Sequence, residues 1–256
     1  MTQAVKARQF YDLHVPGTPL VLYNIWDAGS AKAIAEAGAK AIATGSWSVA
    51  AAHGYQDGQK IPIELLLQIT ARIVATSDLP VTVDFEGGYA EAPDEVAANV
   101  SRMIGTGAVG INFEDQIVGG AGFHSLDAQS KRIAAIRQAA EESDIPFFIN
   151  ARTDLFLKER DRSAHGGLVS EATERAGAYA EAGASGFFIP GLVAPELIGA
   201  ICEATSLPVN AMMMDGAPSI DKLASLGVGR ISYGPRPYFT AMADLADRFT
   251  KAAGGS

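Results

Sequence analysis

Eight short apolar runs, each ending in a polar or glycine-rich turn, constrain the fold of this chain most strongly. Helical patterns separate the runs, and a strand that alternates with a helix is typical of parallel βαβ units. Such units either close into a barrel or form an open sheet. The runs occupy residues 20–25, 41–44, 81–85, 110–113, 147–151, 186–189, 209–212 and 230–233.

A glycine recurs where the chain leaves several helices and enters the next run. It stands in residues 36–39, 105–108, 181–184 and 226–229, where we expect it to end the helix and turn the chain tightly into the strand. Eight units with this repeated feature favour a (β/α)₈ TIM barrel over an open sheet. A doubly wound open sheet usually carries a G-x-G-x-x-G turn after its first strand, and residues 24–30 lack that pattern.

The length of the chain suits one barrel. TIM barrels typically need about 250 residues, and this chain has 256, of which 48% are hydrophobic. We therefore predict a protein of the α/β class with a single (β/α)₈ barrel domain over residues 1–256. Residues 4–13 form a helical pattern before the first run, which predicts an N-terminal helix that covers the lower mouth of the barrel.

Composition argues against several classes of partner. The formal net charge of −9 disfavours a surface for nucleic acid or anionic membranes, since both need clustered Lys and Arg. The one cysteine, Cys202, excludes an internal disulfide and a cysteine metal cluster. A secretory signal pattern and a long uninterrupted apolar span are both missing from the sequence. We expect a cytoplasmic protein that binds neither nucleic acid nor membrane.

Two of the runs end in carboxylates. The third run stops at Asp84 and Glu86, and the fourth at Glu114 and Asp115. Residues two positions apart on a strand share a face, and buried carboxylates need partners. Barrel enzymes carry their chemistry at the carboxyl ends of the strands, so the polar residues found there should converge. These residues also include Asn24, Trp26, Asp27, Thr44, Gly45, Ser46, Trp47, Asn112, Asn150, Arg152, Asp154, Asn210, Tyr233 and Arg236.

A divalent cation is the partner that these acids most need. Without one, the clustered carboxylates of Asp84, Glu86 and Glu114 would repel and raise one another's pKa values. Oxygen ligands with no histidine or cysteine cluster nearby favour Mg²⁺, with Mn²⁺ as the alternative. Arg152 is suited to hold a carboxylate or phosphoryl group in a bidentate fork, and an ion pair with Glu114 is compatible with that role.

Other polar residues at the predicted mouth have more ordinary interpretations. For Asp27, Asp115 and Asp154, we favour structural roles as capping groups on loops. The turn at residues 44–47 is a candidate for donating backbone N–H groups to a substrate carboxylate. Residues 48–61 and 117–127 form long connections that are candidate lids. His124 in the second connection is the first candidate for the general acid or base, with Tyr233 or a metal-bound water as the alternatives.

Four segments, taken in order, carry a family resemblance. W-D-A-G-S at 26–30, D-F-E-G-G-Y at 84–89, N-F-E-D-Q at 112–116 and N-A-R-T-D at 150–154 are similar to the isocitrate lyase/phosphoenolpyruvate mutase superfamily. The 2-methylisocitrate lyase-like branch is the most similar. The resemblance implies a barrel, Mg²⁺, a homo-oligomer such as a dimer or tetramer, and a small anionic 2-oxo acid as substrate. It also implies that a bond beside the α-carbon is cleaved or formed through an enolate held by the metal.

The resemblance also implies roles for individual residues. Asp84 would bind Mg²⁺ directly, with three further acids acting through waters. Arg152 would hold the pyruvyl or glyoxylyl end of the substrate, and Asn210 would line the far side of the pocket. The three water-mediated acids are Asp57, Glu86 and Glu114, and the remaining substrate contacts are Trp26, Thr44, Gly45, Ser46 and Asn112.

One loop departs from the family pattern. The lyases of the family carry K-[KR]-C-G-H after the E-D-Q element, whereas residues 120–124 read G-A-G-F-H and share only His124. The Lys and Asn that mutases and phosphonopyruvate hydrolases carry in this loop are also absent. We predict a carbon–carbon lyase for a 2-oxo or 2-hydroxy di- or tricarboxylate of the isocitrate, 2-methylisocitrate or oxaloacetate type. The alternatives are phosphorus–carbon bond chemistry on phosphonopyruvate or phosphoenolpyruvate, and a 2-oxo acid binding protein with weak or no catalysis.

Overall fold

Eight parallel strands form one sheet in the computed structural model, which describes residues 1–254. Gly255 and Ser256, the end of the predicted domain, lie outside the described residues. Each predicted apolar run contains one strand, so the predicted strand set is confirmed. The strands are β1 (Leu20–Leu22), β2 (Ile42–Ala43), β3 (Val81–Asp84), β4 (Gly110–Glu114), β5 (Phe148–Arg152), β6 (Gly186–Phe188), β7 (Val209–Met212) and β8 (Arg230–Ser232).

The strands follow one another around a nearly closed barrel. The order is β1-β8-β7-β6-β5-β4-β3-β2, with every neighbouring pair parallel. Between β1 and β2 the ring is completed just beyond the two strands, where Ile25 and Thr44 form a parallel bridge. The amide of Ile25 donates to the carbonyl of Ala43 at 2.8 Å. The structure therefore confirms the (β/α)₈ barrel and not the open sheet.

Helices connect consecutive strands and cover the barrel. Most are amphipathic and present a small set of buried apolar residues to the sheet, as in α5 with its buried Val96, Val100 and Met103. They are α1 (Gln3–Asp12), α2 (Ala28–Glu36), α3 (Ser46–Ala52), α4 (Ile63–Val74), α5 (Pro93–Gly105), α6 (Leu126–Glu142), α7 (Leu155–Lys158), α8 (Val169–Glu181), α9 (Pro195–Ala204), α10 (Ile220–Ser225) and α11 (Arg236–Ala252), with a 3₁₀ helix at Arg162–Leu168.

Each predicted glycine exit contains one glycine in the left-handed backbone region. Gly38, Gly107, Gly183 and Gly227 have φ values of 95°, 94°, 98° and 88°. Each follows the last turn of a helix, where a residue with a Cβ would be strained. At Gly183 a Cβ would also lie 2.8 Å from the side chain of Arg137. This shared requirement explains why the sequence repeats glycine at these positions.

The N-terminal helix covers the amino-terminal end of the barrel. Phe10 of α1 is fully buried, and its ring lies 5.2 Å from that of Phe148 at the start of β5. His14, just after α1, stacks on Phe148 at 4.0 Å. The side chain of Gln3 donates to the carbonyls of Ile104 and Ala108, which ties the start of α1 to the barrel. The predicted N-terminal helix is confirmed.

The surface of the described residues carries one long apolar stripe. On α11, Phe239, Met242, Leu245 and Phe249 are 37–72% exposed. The predicted homo-oligomer stays a prediction. Among residues 1–254, none of the helices combines the length and the apolar character that crossing a bilayer requires.

Candidate active site

The main cavity of the barrel lies where the strands end, as the strand-end rule predicts. It has a volume of about 250 Å³. Its walls come from residues at or just after the carboxyl ends of all eight strands. The lining residues are Asn24, Gly45, Ser46, Trp47, Asp57, Asp84, Asn112, Arg152, Leu157, Phe188, Pro190, Met212, Ser232, Gly234 and Pro235.

Asp84, at the end of β3, lies at the centre of the polar part of this cavity. Its backbone amide donates to Thr44 Oγ1 at 3.0 Å, and its Oδ2 accepts from the amide of Ser46 at 3.1 Å. Its other oxygen, Oδ1, is buried and accepts no hydrogen bond from the described residues. A buried, unpaired carboxylate oxygen is costly without a further partner, so Asp84 has one coordination position to offer.

Arg152, at the end of β5, is surrounded by carboxylates. Its Nε and Nη2 donate to the two oxygens of Asp154 at 2.6 and 2.9 Å. Its Nη1 lies 3.0 Å from Glu114 Oε2 and 3.8 Å from Asp84 Oδ1. Although burial alone would lower the pKa of Arg152, the surrounding acids raise it well above its ordinary value. The guanidinium is therefore a permanent charge at this site.

Glu86 is held in a strained turn beyond β3. Its φ is +50°, in the left-handed region that side chains rarely adopt. Its Oε2 accepts from the amide of Gln59 at 2.8 Å, and its carbonyl accepts from the amide of Glu114 at 3.0 Å. Backbone strain of this kind persists where the surroundings impose it, often at functional sites. The turn thus brings the β3 end, the β4 end and the connection before α4 together.

The pKa values report one cluster of mutually repelling acids. Burial, followed by repulsion from Asp57, Glu114 and Asp84, raises the pKa of Glu86 to about 8. Burial likewise raises the pKa of Glu114 to about 7, although Arg152 opposes the shift. The pKa of Asp57 is also raised, first by burial and then by Asp84. The four acids predicted to hold the metal are therefore close enough to repel one another.

The donor set of this cluster fits a hard divalent cation. Four carboxylates and Asp154 face a single guanidinium, which leaves an excess of negative charge that a cation would offset. Within residues 1–254, no three His, Cys, Asp or Glu side chains are placed so that together they could hold a metal ion. Mg²⁺ does not require such a group, because it keeps several waters and commonly uses one or two carboxylates.

Asn112 forms the floor of the cavity together with two side chains from the barrel interior. Its Oδ1 accepts from Asn150 Nδ2 at 2.8 Å and from Arg230 Nη2 at 3.0 Å. Both donors are fully or almost fully buried, and burial lowers the pKa of Arg230 to about 9. These two bonds fix the amide of Asn112 with its oxygen toward the barrel interior. Its Nδ2 is therefore the atom available to a ligand.

The turn after β2 lines the cavity but uses its backbone donors elsewhere. The amide of Thr44 donates to Thr82, that of Gly45 to Ile25, and that of Ser46 to Asp84. These three N–H groups are therefore already used within the protein, and the predicted role of the turn at residues 44–47 in binding a substrate carboxylate stays a prediction. Gly45 and Ser46 still border the cavity, and the Ser46 side chain opposes the rise in the pKa of Asp57.

Several predicted site residues lie near the cavity without lining it. Asn210 is fully buried and exchanges hydrogen bonds with Ser232, which does line the cavity. The ring of Trp26 packs edge-on against Tyr238 at 5.1 Å. The ring of Tyr233 lies 5.0 Å from that of Tyr23, outside the set of lining residues.

His124 lies in a different cavity. That space, of about 190 Å³, is also bordered by Gln59, Glu91 and Arg132. The backbone of His124 is held in place, since its amide donates to Asp115 and its carbonyl accepts from Arg175. Burial and Arg132 lower the pKa of the imidazole. In this structure the predicted acid or base is therefore separate from the carboxylate cluster.

The acids that we interpreted as structural have structural partners. Asp27 caps α2 and forms a reciprocal capping box with Ser30. Asp115 is fully buried, pairs with Arg175 at 3.2 Å and accepts from Tyr179 at 3.0 Å. Asp154 orients Arg152. None of the three lines the cavity.

The comparison with known sequences decides the family. A model of the phosphoenolpyruvate phosphomutase family matches residues 10–253. The chain belongs to this family. The predicted membership of the isocitrate lyase/phosphoenolpyruvate mutase superfamily is thereby confirmed.

Relatives of this phosphomutase-family chain include lyases and mutases. An uncharacterized protein of Mycobacterium tuberculosis strain H37Rv is 34% identical over 90% of this chain and 83% of its own length. The 2-methylisocitrate lyase of Escherichia coli K12 is 30% identical over 92% of this chain and 83% of the lyase. A crystal structure from Burkholderia cenocepacia J2315, of a protein proposed to be a phosphonomutase, is 46% identical, with a TM-score of 0.95 and coverage of 98% and 99%.

This family member has an apolar cavity wall that the sequence analysis missed. Leu157, Phe188, Pro190, Met212 and Pro235 all line the cavity. The sequence does not distinguish an apolar residue of a cavity wall from one of the core, because the same residue types occur in both. Their common signal is position: each lies at or just after the end of a strand from β5 to β8.

Proposed function

We propose that this protein is a Mg²⁺-dependent lyase that cleaves a carbon–carbon bond of a small 2-oxo or 2-hydroxy acid, with the electron pair of the broken bond held as an enolate. The observation that carries the proposal is the cluster of Asp57, Asp84, Glu86 and Glu114 around Arg152 at the end of β3, β4 and β5. Membership of a family whose named relatives are lyases and mutases supports it.

The residues around the cluster have separable tasks. Asp84, whose Oδ1 accepts no hydrogen bond from the described residues, would hold the cation directly, and the other three acids would act through waters. When bound, Mg²⁺ supplies a Lewis acid that polarises the oxo group of the substrate. Arg152 provides a fixed positive charge beside the acid end of the substrate, and Asn112 provides a neutral N–H donor.

The proposed acid or base is the part that needs movement. Tyr233 faces Tyr23 and receives no role in the proposal. His124 keeps the role that the sequence analysis suggests, but it has to leave its own cavity when the loop at residues 117–125 closes. Lid closure of this kind is common at the catalytic face of barrels.

Solvent exchange tests the proposed chemistry without requiring the full substrate. In D₂O with Mg²⁺, we expect the protein to replace the C3 protons of pyruvate by deuterium, because this exchange and carbon–carbon bond cleavage both pass through an enolate. Proton NMR measures the exchange. Asp84→Asn and removal of Mg²⁺ should each abolish the exchange. The matched control is Asp127→Asn, an exposed acid paired with Lys131. Equal exchange in the parent and in Asp84→Asn would contradict the proposal.

Turnover of carbon–carbon bond substrates is measured in the same samples. Oxaloacetate, isocitrate and 2-methylisocitrate represent the acids considered in the sequence analysis. Since free Mg²⁺ also acts on oxaloacetate, the rate that counts is the difference between the parent and Asp84→Asn. Mg²⁺-dependent binding of pyruvate without exchange or turnover would instead support a 2-oxo acid binding protein.

Phosphorus–carbon chemistry is the second candidate. The 46% identity to a protein proposed to be a phosphonomutase favours it. Against it, the single guanidinium of the cavity is already paired with Asp154 and Glu114 and has limited capacity for a phosphonate dianion. A phosphorus NMR spectrum of phosphonopyruvate incubated with the protein and Mg²⁺ distinguishes the two, because only this candidate converts the phosphonate signal.

A further inference from the structure

The cavity has one charged side and one apolar side. The charged and hydrogen-bonding residues Ser46, Asp84, Asn112 and Arg152 follow β2 to β5. The other side is formed at β6 to β8 and at α7. Its members are Leu157, Phe188, Pro190, Met212 and Pro235, with the ring of Trp47 at the rim. Because β6, β7 and β8 are neighbours in the barrel, this apolar wall is continuous.

The polar groups on the apolar side are already used within the protein. Asn24 donates to the carbonyl of Thr44 and accepts from the amides of Tyr233 and Gly234. Ser232 exchanges hydrogen bonds with Asn210 at 3.1 and 3.2 Å. A ligand group on this side therefore meets carbon surface and side chains whose hydrogen bonds are made elsewhere.

Positive charge is equally absent from the apolar side. Across the described ranges, Arg152 is the one Lys or Arg that lines the cavity, and it lies on the charged side. Arg236 follows Pro235 directly, but its guanidinium pairs with Asp215. Arg162 donates to the carbonyl of the same Asp215. A second carboxylate on the substrate would lose its water here without gaining a cation, which is unfavourable.

We infer that the substrate of this site carries an uncharged alkyl group beyond its 2-oxo or 2-hydroxy acid end, in place of the second carboxylate of a di- or tricarboxylate. The inference rests on the proposed function, because the acid end is taken to sit at the Asp84 and Arg152 side. The alkyl group packs against Met212, whose strand β7 lies opposite β3 in the barrel, and against the ring of Phe188, which lies 5.9 Å from the guanidinium of Arg152.

The size of the cavity is consistent with this class. At ~30 Å³ per water, 250 Å³ corresponds to roughly eight water molecules. That space suits a short acid with a small linear or branched alkyl tail. A tricarboxylate would fill the same space with three hydrated anionic groups, two of them facing carbon.

A pair of isosteric ligands tests the inference in the parent protein. 4-Methyl-2-oxopentanoate has an isopropyl group where oxaloacetate has its second carboxylate, and the rest of the two molecules is the same. Calorimetry with Mg²⁺ first measures oxalate, which presents the acid end alone. The affinities of 4-methyl-2-oxopentanoate and of freshly dissolved oxaloacetate are then measured by competition, with each acid titrated into the protein that holds oxalate. We expect 4-methyl-2-oxopentanoate to bind at least about tenfold more tightly than oxaloacetate.

A charge placed in the apolar wall should reverse the preference. In Met212→Lys we expect the affinity for oxaloacetate to rise at least about tenfold relative to the affinity for 4-methyl-2-oxopentanoate, since a cation then faces the far carboxylate. Met214→Lys is the matched control, because Met214 does not line the cavity, and its preference should equal that of the parent. If Met212→Lys does not fold, the ratio in the parent still decides.

The outcomes separate this inference from the proposed function. If oxalate binds, and oxaloacetate binds as tightly as 4-methyl-2-oxopentanoate or more tightly, the inference is wrong and the proposed function stands. Loss of that oxaloacetate binding in Arg236→Ala would identify Arg236 as the cation that the inference says is missing. If oxalate itself does not bind in the presence of Mg²⁺, the proposed function fails and the inference fails with it.

Discussion

The guanidinium of Arg152 grips the carboxylate of Asp154 through two parallel hydrogen bonds, Nε to Oδ1 at 2.6 Å and Nη2 to Oδ2 at 2.9 Å. Asp154 is fully buried and follows Arg152 by two residues. The fork leaves Nη1 as the corner of the guanidinium that faces Glu114 and Asp84. The orientation of the site's one fixed positive charge is thus set by a residue outside the cavity.

Replacing Arg152 by lysine should preserve charge and lose activity. An ammonium group cannot bind Asp154 in a fork and reach Glu114 at the same time, since its three donors sit on one atom. We expect Arg152→Lys to lower exchange or turnover by about 100-fold, as removal of one preorganised electrostatic group typically does. Mg²⁺ binding, measured by calorimetry, should change far less. Activity within twofold of the parent would contradict the role of the fork.

The buried ion pair between Asp115 and Arg175 should matter for stability. Asp115 is fully buried, and its removal leaves the guanidinium of Arg175 and the hydroxyl of Tyr179 without their shared acceptor. Breaking a buried pair from one side costs about 3–5 kcal/mol. We expect Asp115→Ala to lower the free energy of unfolding by that amount in urea titrations.

An exposed pair provides the control for this prediction. Asp127 and Lys131 lie 2.7 Å apart on the surface of α6, with both side chains mostly exposed. Exposed helical pairs contribute about 0.3–0.5 kcal/mol, so Asp127→Ala should be nearly neutral. Similar costs for the two variants would mean that burial does not determine the value of the Asp115 pair.

His14 should make the fold sensitive to acid. Burial, together with the nearby charge of Arg230, lowers the pKa of His14 from 6.5 to about 3 in the folded protein. Between these two values the unfolded chain binds a proton that the folded chain does not, so stability falls as pH decreases. The contribution is lost from about pH 6.5 downward, by at most ~1.4 kcal/mol per pH unit.

The variant His14→Phe separates this effect from the titration of acidic residues. Phenylalanine keeps the stack on Phe148 but has no group that titrates in this range. We expect the free energy of unfolding of the parent to fall faster than that of the variant between pH 6.5 and pH 4.5. Parallel stability curves for the two proteins would show that His14 is not the group responsible.

Two glycines with nearly the same φ should respond differently to alanine. At Gly191 (φ 93°) a Cβ would lie 2.6 Å from the backbone of Phe156 and Leu157, while at Gly38 (φ 95°) it would meet nothing within 4 Å. Gly38→Ala should cost about 1 kcal/mol from backbone strain alone. Gly191→Ala should cost at least about 2 kcal/mol more, because main-chain atoms have to move. Urea denaturation of both variants measures the difference.

Strand positions and the acid cluster were predictable because they depend on local patterns. Asp84 and Glu114 end apolar runs, and the barrel rule brings all such ends to one mouth. The helix exits at Gly38 and Gly183 were predictable for the same reason, since a left-handed turn there requires glycine.

Features that depend on contacts between distant segments were not predictable. The sequence shows His124 in a glycine-rich loop, but only the fold reveals that Arg132 and Glu91 share its cavity. The amides at residues 44–46 looked available until the strand register assigned them to Thr82, Ile25 and Asp84. The apolar wall was not predictable for a different reason. Residues such as Phe188 and Met212 also occur in buried strands that line no cavity.

Calorimetric titration of oxalate into the parent protein and into Asp84→Asn, each with and without Mg²⁺, tests the central claim most directly. Oxalate has the shape of a 2-oxo acid enolate and no tail, so its binding depends on the cation and the charged side of the cavity, without a contribution from the apolar wall. We expect oxalate to bind the parent only when Mg²⁺ is present, and to bind Asp84→Asn at least about 100-fold more weakly. Oxalate binding of equal strength without Mg²⁺, or to Asp84→Asn, would contradict the claim that the acids at β3 and β4 form a metal site.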